Sequence, residues 1–342
     1  MSMNIKNESS EDEFRPRLLV WQLTPDYPAV PVTGKATSSE PHTDGVLSTS
    51  ECLLILENIA YTAKPIIVLT GPDILQRPDL YTIVEYGIAL GLKIIIETSP
   101  RDLTDSLIRK FSVFGPKVFR ILLDGCIVEN ADTRYNQTPE FLALGKKIQG
   151  LRDEGFEIHL GVTIRRPDIR ELAFNWDYAF RIVANGLYCH LLFDEDGDSK
   201  KHRAANIETP DELIQTIARM KQFSPEKMYI SPQCVKYGIV RDNHEEGLGN
   251  GQGGQNGTFE WKHWCLAGKT FAYINHAGQV HICAGMSVEC GSLRDNNYDF
   301  KKIWYESEVF RRLRQSTLSC SETQAEFKSL SIHKPKRSEE RR

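Results

Sequence analysis

The chain has 342 residues, 40% of them hydrophobic and 26% charged, with 42 Lys and Arg against 46 Asp and Glu for a formal charge of −4. That length accommodates roughly two domains and a real buried core, and the near-neutral charge excludes a general nucleic-acid binder, which needs a strong basic excess. No apolar run approaches the ~20 residues that cross a bilayer, and the eight cysteines are too sparse for a disulfide scaffold.

The polar, acidic start MSMNIKNESSEDEF carries no secretory signal, so a cytoplasmic location is expected. Residues 1–15 hold too little apolar surface to order themselves. From residue 16 the pattern alternates strand and helix. Strand-like runs fall at Leu18–Thr24, Pro65–Thr70, Leu92–Thr98, Val118–Leu123, Glu157–Thr163 and Leu187–Phe193. Most are continuous apolar runs, as parallel strands covered on both faces require. Helical spacing falls between them at Thr49–Ala63, Leu80–Leu90, Asp102–Phe111, Pro139–Glu154 and Asp168–Val183, and a further helix opens at Thr209 with Pro210 in its first turn. Such alternation predicts a parallel α/β sheet or partial barrel over residues 16–224, with chemistry at the carboxyl ends of the strands.

The character then changes. Lys227–Pro232 reads as one more strand, and residues 225–264 form a connecting segment. Within it Gly247–Gly257 has six glycines in eleven residues. A flexible linker fits better than a phosphate cradle, because no strand–loop–helix context surrounds it. A smaller module follows at 265–325. In it Lys269–Ile274, the turn His276–Ala277–Gly278 and Gln279–Ile282 predict a β-hairpin. One closing helix, Phe300–Gln315, should pack Ile303, Val309, Phe310 and Leu313 on that hairpin. Residues 326–342 are a charged tail.

Several of these segments together resemble a known family. Trp21–Thr24 (WQLT), then a long loop and Leu47–Ala60 (LSTSECLLILENIA), resembles the opening of radical-SAM enzymes, especially SPASM-containing members related to alternative haem biosynthesis and PQQ maturation. Pro65–Leu80, Val84–Ser99 and Ile121–Gly125 resemble that family's second to fourth strand regions. Cys265–Cys283, Gly291–Asp295 and Lys302–Arg314 resemble its C-terminal module. The resemblance spans about residues 17 to 315. It implies an α/β fold: a partial (β/α)6 radical-SAM-like barrel carrying a small, degenerate SPASM- or twitch-like β-hairpin plus helix.

The chemistry implied by the resemblance is only partly present. The family holds a [4Fe–4S] cluster on Cys-x3-Cys-x2-Cys after the first strand. At that spacing this chain has Tyr27, Pro31 and Gly34, none of which can supply a thiolate. After the second strand the family carries Gly-Gly-Glu or Gly-Gly-Asp, which holds the ammonium of S-adenosylmethionine. Here the residues are Gly71-Pro72-Asp73, and Pro72 lacks a backbone N–H. Gly71, Asp73 and Asp124 are the remnant of that pocket. On the fourth strand, near the register where relatives put a small hydroxyl residue facing the ribose, stand Arg120 and Leu122, and Leu122 reads as a core filler.

In the C-terminal module, Cys265, Gly278 and Cys283 match the first part of the auxiliary-cluster pattern; the later run of four cysteines is missing. Cys265, Cys283 and Cys320, with Cys290, could form one reduced iron–sulfur cluster. The pairs His263-x-Cys265 and His281-x-Cys283 could instead form a Cys2His2 zinc site. The bland alternative is small buried thiols with no metal, and no cofactor is the leading expectation. Cys52, Cys126, Cys189 and Cys234 read as core thiols. His190 reads as a satisfied histidine, Asp194–Asp198 as a solvated turn, and Trp261 and Trp264 as packing under a loop.

These residues lead to the expectation of a pseudoenzyme: a binding or accessory subunit for a modified-tetrapyrrole or peptide-maturation pathway, with a small-molecule or peptide ligand or an active radical-SAM partner subunit, and with neither nucleic acid nor membrane. The alternatives are an active SAM- or iron–sulfur-dependent oxidoreductase using a C-terminal cluster, and a zinc-stabilised interaction module.

Overall fold

The computed structural model describes residues 14–25, 45–123, 139–164, 169–191, 267–284 and 286–315. The expected strand at Lys227–Pro232, the helix opening at Thr209 and the glycine-rich segment lie outside the described residues. The first six strands are β1 Leu18–Gln22, β2 Ile66–Thr70, β3 Lys93–Thr98, β4 Val118–Leu122, β5 Glu157–Ile164 and β6 Gly186–Leu191. Between them run α1 Thr49–Thr62, α2 Leu80–Ala89, α3 Asp105–Phe114, α4 Pro139–Asp153 and α5 Ile169–Arg181. After them come β7 Phe271–Ile274, β8 Gln279–Cys283, β9 Met286–Ser292, α6 Phe300–Glu306 and α7 Glu308–Gln315. Among the described residues no helix is long and apolar enough to cross a membrane.

The strands form one sheet in the order β6-β5-β4-β3-β2-β1-β7-β8-β9. Pairing is parallel from β1 through β6, as the helical crossovers demand. The architecture is the α/β partial barrel with a C-terminal β-hairpin and helices. The C-terminal strands do not form a sheet of their own: β7 pairs in parallel with β1, and β8 and β9 continue antiparallel from it. Strand β1 therefore lies between the barrel and the C-terminal module and is bonded to both.

Alternation along each strand separates two buried faces. Leu19, Trp21, Ile67, Leu69, Ile94, Ile96, Phe119 and Ile121 point to the helices and are at most 4% exposed. They join the contiguous core with Ile55, Leu56 and Ile59 of α1 and Ile83 and Val84 of α2. Each such side chain contributes roughly 1.5–3 kcal/mol on burial. The chain Phe111–Phe119–Phe156 extends this core edge to face, at ring separations of 5.9 and 5.0 Å. Leu122 departs from expectation. It sits half-buried on the opposite, concave face and is not part of the helix-side core, because its parity is that of Arg120.

Local chemistry sets the helix limits. Ser48 and Glu51 form a reciprocal capping box at the start of α1. Helix α3 begins three residues later than the spacing predicts, because the Thr104 hydroxyl accepts from Leu107 N and fixes the first turn there. The closing helix is two helices. Ser307 takes an extended conformation (φ −56°, ψ 127°) between α6 and α7, and the Arg311 guanidinium donates to the terminal Glu306 carbonyl. The break lets Trp304 and Phe310 both face inward, 5.0 Å apart. A third C-terminal strand, β9, was not legible in the sequence, since Met-Ser-Val-Glu-Cys-Gly-Ser alternates weakly.

Candidate functional site at the barrel mouth

The concave face carries a row of buried polar side chains in register across neighbouring strands. Gln22 stands beside Thr70, Glu97 beside Arg120, and Arg120 beside His159. Gln22, Glu97, Arg120 and His159 are 7, 6, 2 and 5% exposed. Glu97 accepts from Thr70 Oγ1 at 2.9 Å and from Arg120 Nη1 at 2.9 Å. The Arg120 guanidinium lies 4.0 Å from the Tyr188 ring centroid, and the His159 ring stands 5.0 Å from the same ring. Burial, and the nearby Arg120 charge, lower the His159 pKa against the opposing effect of the hydrogen bond that its ring makes to Glu157. This row forms a polar floor in an otherwise apolar interior. Its sequence signal was present but unused: Glu97 and Arg120 are charges inside the apolar runs KIIIET and VFRILL, one strand apart.

The carboxyl ends of β1 and β2 border an open cavity of about 460 Å³ lined by Leu23, Thr24, Pro72, Asp73, Gln76 and Arg77, among others. Gly71 and Asp73 therefore sit where the sequence puts them, on the loop after β2. Gly71 has φ +134°, and a Cβ there would fall 2.2 Å from Thr24 Oγ1, so the close approach of the two loops requires glycine. Asp73 follows in the left-handed region at φ 47°. The Thr24 hydroxyl donates to the Pro72 carbonyl at 2.7 Å. Asp79 is held by Arg77 and Thr49. The Asp102 carboxyl is pushed above its usual range by burial first and by Asp73 second. Asp73 and Arg77 both stand on the cavity wall.

Two arginines fix the backbone at this mouth. Arg77 donates to Leu23 O at 2.6 Å and to Leu47 O at 2.8 Å, tying together the segments that end β1 and precede α1. Its guanidinium also lies 3.6 Å from the buried Cys52 sulfur, whose thiol burial pushes up to about 12. Cys52 is thus the core thiol expected, not a nucleophile. Arg294, from the C-terminal module, donates to Gly45 O, Val46 O and Glu51. The Arg294 guanidinium beside Glu51 holds its carboxyl well below the usual carboxylate range, burial opposing and Ser48 and Tyr298 assisting.

A folded-state pKa below the unfolded value of about 4.3 means the pair stabilises the fold at neutral pH and loses that effect as pH falls through and below that value. Glu51→Gln should therefore destabilise by about 1 kcal/mol at pH 7, a figure reduced for the partial exposure of the pair. The difference from wild type should be smaller at about pH 3, where the unfolded carboxyl is protonated while the depressed folded-state pKa keeps part of the effect. Urea midpoints at the two pH values test this, and a difference independent of pH would contradict it.

The remaining sequence candidates separate. Tyr27, Pro31, Gly34, Asp124, His263, Cys265 and Cys320 lie outside the described residues, as do Cys126, Cys234, Asp194–Asp198, Trp261 and Trp264. Strand β6 contains Cys189 and His190, whose side chains are not described. Cys283 and Cys290 are brought into electrostatic range of each other, on the side of β8 and β9 that packs on α6 and α7. Burial first, then Glu289 and Cys283, push the Cys290 thiol well up. His281 stands opposite Tyr273 with the rings 6.1 Å apart, and its Nε2 is 3.3 Å from Asn275 Nδ2. The β8–β9 ladder shifts register on either side of His281, with the extra residues on β9. Among the described residues no three His, Cys, Asp or Glu side chains come together as a metal site.

No family model matches the chain. It is 26% identical over 304 residues to an AdoMet-dependent heme synthase of Methanosarcina barkeri, covering 87% of this chain and 85% of that protein. A protein of the same description from Oleidesulfovibrio alaskensis is 26% identical over 320 residues, covering 92% and 80%. An Fe-coproporphyrin III synthase of M. barkeri is 22% identical over 231 residues, covering 67% and 56%. In fold, the chain is similar to Streptococcus suis SuiB bound to S-adenosylmethionine, with TM-score 0.58 at 10% identity, over 90% of this chain and 69% of that one. It is also similar to anSMEcpe with bound AdoMet, with TM-score 0.52 at 11% identity over 87% and 82%.

Proposed function

We propose, on the premise that this chain is a relative of the radical-SAM/SPASM enzymes, that it is a catalytically degenerate one that binds its ligand without radical chemistry. The observation that carries the reading is the loop after β1, with Tyr27, Pro31 and Gly34 at the three thiolate positions. A [4Fe–4S] cluster does not fit that donor set, in which a phenol, a pyrrolidine ring and a hydrogen stand for three thiolates. Of the two ligand classes, a modified tetrapyrrole is favoured over a peptide by the relatives described as heme and Fe-coproporphyrin III synthases. The chain then acts as a cytoplasmic binding or accessory subunit beside an active radical-SAM partner.

The test is anaerobic purification with iron, sulfide and zinc analysis, followed by cluster reconstitution and incubation with S-adenosylmethionine and dithionite. No 5′-deoxyadenosine should form, while iron coproporphyrin should bind with a shifted Soret band. Reductive cleavage of S-adenosylmethionine would overturn the reading.

A second reading keeps the cavity in use. Asp73, on the wall of an open cavity of about 460 Å³, suits the ammonium of S-adenosylmethionine or another cationic ligand. The proline at 72 supplies no N–H, and its carbonyl is engaged by Thr24, so the contact would depend on the carboxylate. Non-radical chemistry or simple binding would follow. A metal in the C-terminal module would draw on Cys283 and Cys290 together with Cys265 and Cys320, and the same metal analysis reports on it.

A further inference from the structure

We infer that Gln22 and Tyr273 are positioning residues for Asp73, through which the C-terminal strands set how tightly the cavity holds a cation. The inference rests on the reading of the cavity as a cation site given above.

Gln22 ends β1, the strand bonded on one side to β2 and on the other to β7. At 7% exposure its amide needs partners, and it finds one on each side. Its Oε1 accepts from the phenol of Tyr273 on β7, and its Nε2 donates to the Thr24 carbonyl at 2.8 Å. Thr24 in turn donates its hydroxyl to the Pro72 carbonyl at 2.7 Å. Three hydrogen bonds thus run from the C-terminal module, across the end of β1, to the peptide that leads into Asp73.

The last link is stiff. Thr24 Oγ1 occupies the space that a Cβ on Gly71 would need, and Thr24 N and O lie 3.1 and 3.2 Å from that same point. A shift of Thr24 therefore moves Gly71 and Pro72 with it, and Asp73 is the next residue. Gln22 Nε2 orients the Thr24 peptide, and Tyr273 orients the Gln22 amide. The Tyr273 end of the relay faces His281, which contacts Asn275 on the β7–β8 turn. A change in the packing of β7 and β8 has a direct route to the cavity wall.

The experiment uses the full-length chain with Tyr273→Phe, Asp73→Asn and the double variant, with S-adenosylmethionine as the ammonium probe in calorimetry. Tyr273→Phe keeps the ring and removes one hydroxyl, so binding should weaken about fivefold, the worth of one net hydrogen bond. Asp73→Asn should weaken it further, and Tyr273→Phe should have no added effect in the Asp73→Asn background, because the tyrosine acts through that carboxylate. A purely structural tyrosine would weaken both backgrounds alike, which overturns the inference. Unchanged affinity in Tyr273→Phe overturns it too and leaves the cavity reading standing. If the wild-type chain binds no ammonium probe, the cavity reading falls, and amide hydrogen exchange decides the relay by itself. Faster exchange over residues 70–76 in Tyr273→Phe supports it, and identical exchange sinks it.

Discussion

Replacing Glu97 with alanine is expected to destabilise the fold by about 3–5 kcal/mol, the cost of leaving a buried charge unpaired. Its partner Arg120 is 2% exposed and donates Nη1 to Glu97 Oε2 at 2.9 Å. Among the described residues the Arg120 Nε has no hydrogen-bond partner, so none of them takes over the charge at that atom. The ring of Tyr188 at 4.0 Å offsets only part of the desolvation. Gly161 on β5 leaves room for the neighbouring Leu122, since a Cβ there would come within 2.7 Å of its Cδ2. The double change Glu97→Leu with Arg120→Met removes both charges at similar volume and should recover most of the loss. Urea denaturation of the three variants is the measurement. A single variant within about 1 kcal/mol of wild type would mean the pair is hydrated in solution.

Trp304→Ala should cost a similar amount, about 3–5 kcal/mol. The indole is fully buried, 6.0 Å from the Phe300 ring and 5.0 Å from Phe310, and donates to the Phe14 carbonyl at 2.6 Å. It also covers Arg314, whose guanidinium lies 4.8 Å from its centroid and bonds Gly268 O and Trp304 O. Burial brings the Arg314 pKa down to about 10, so the site depends on the surrounding aromatic faces to hold a charge. Because β7 continues the barrel sheet through β1, the loss should appear as one lower transition for the whole molecule. Two separated unfolding transitions would show that the C-terminal strands melt on their own.

The two expected results concern residues of different legibility. Trp304 lies in the closing helical segment, and its neighbours Ile303, Phe310 and Leu313 were identified from helical spacing alone. Helix limits were legible within a few residues wherever a capping residue stood at the start, as with Ser48 and Glu51. The Ser307 break was not, because apolar spacing continued across it. Among the candidate residues, the placement of Gly71 and Asp73 directly after a strand was legible from the apolar run before them. Arg77, Gln22 and Tyr273 were not, because each acts through a partner far away in the sequence: Leu47 for Arg77, Tyr273 for Gln22.

By itself the sequence determined the order of strands and helices through β6, the parallel α/β class and the absence of cysteine from the segment after β1. Those features follow from hydrophobic periodicity and from which atoms a side chain possesses, and both are local properties. Only the tertiary structure decided that β7 joins β1 in one continuous sheet and that Glu97 and Arg120 meet inside the barrel. Those depend on strand register, and a shift of a single residue moves a side chain to the other face. The eight cysteines show the difference. Their absence from the loop after β1 is legible in the chain itself, whereas the meeting of Cys283 and Cys290 depends on how β8 and β9 pair.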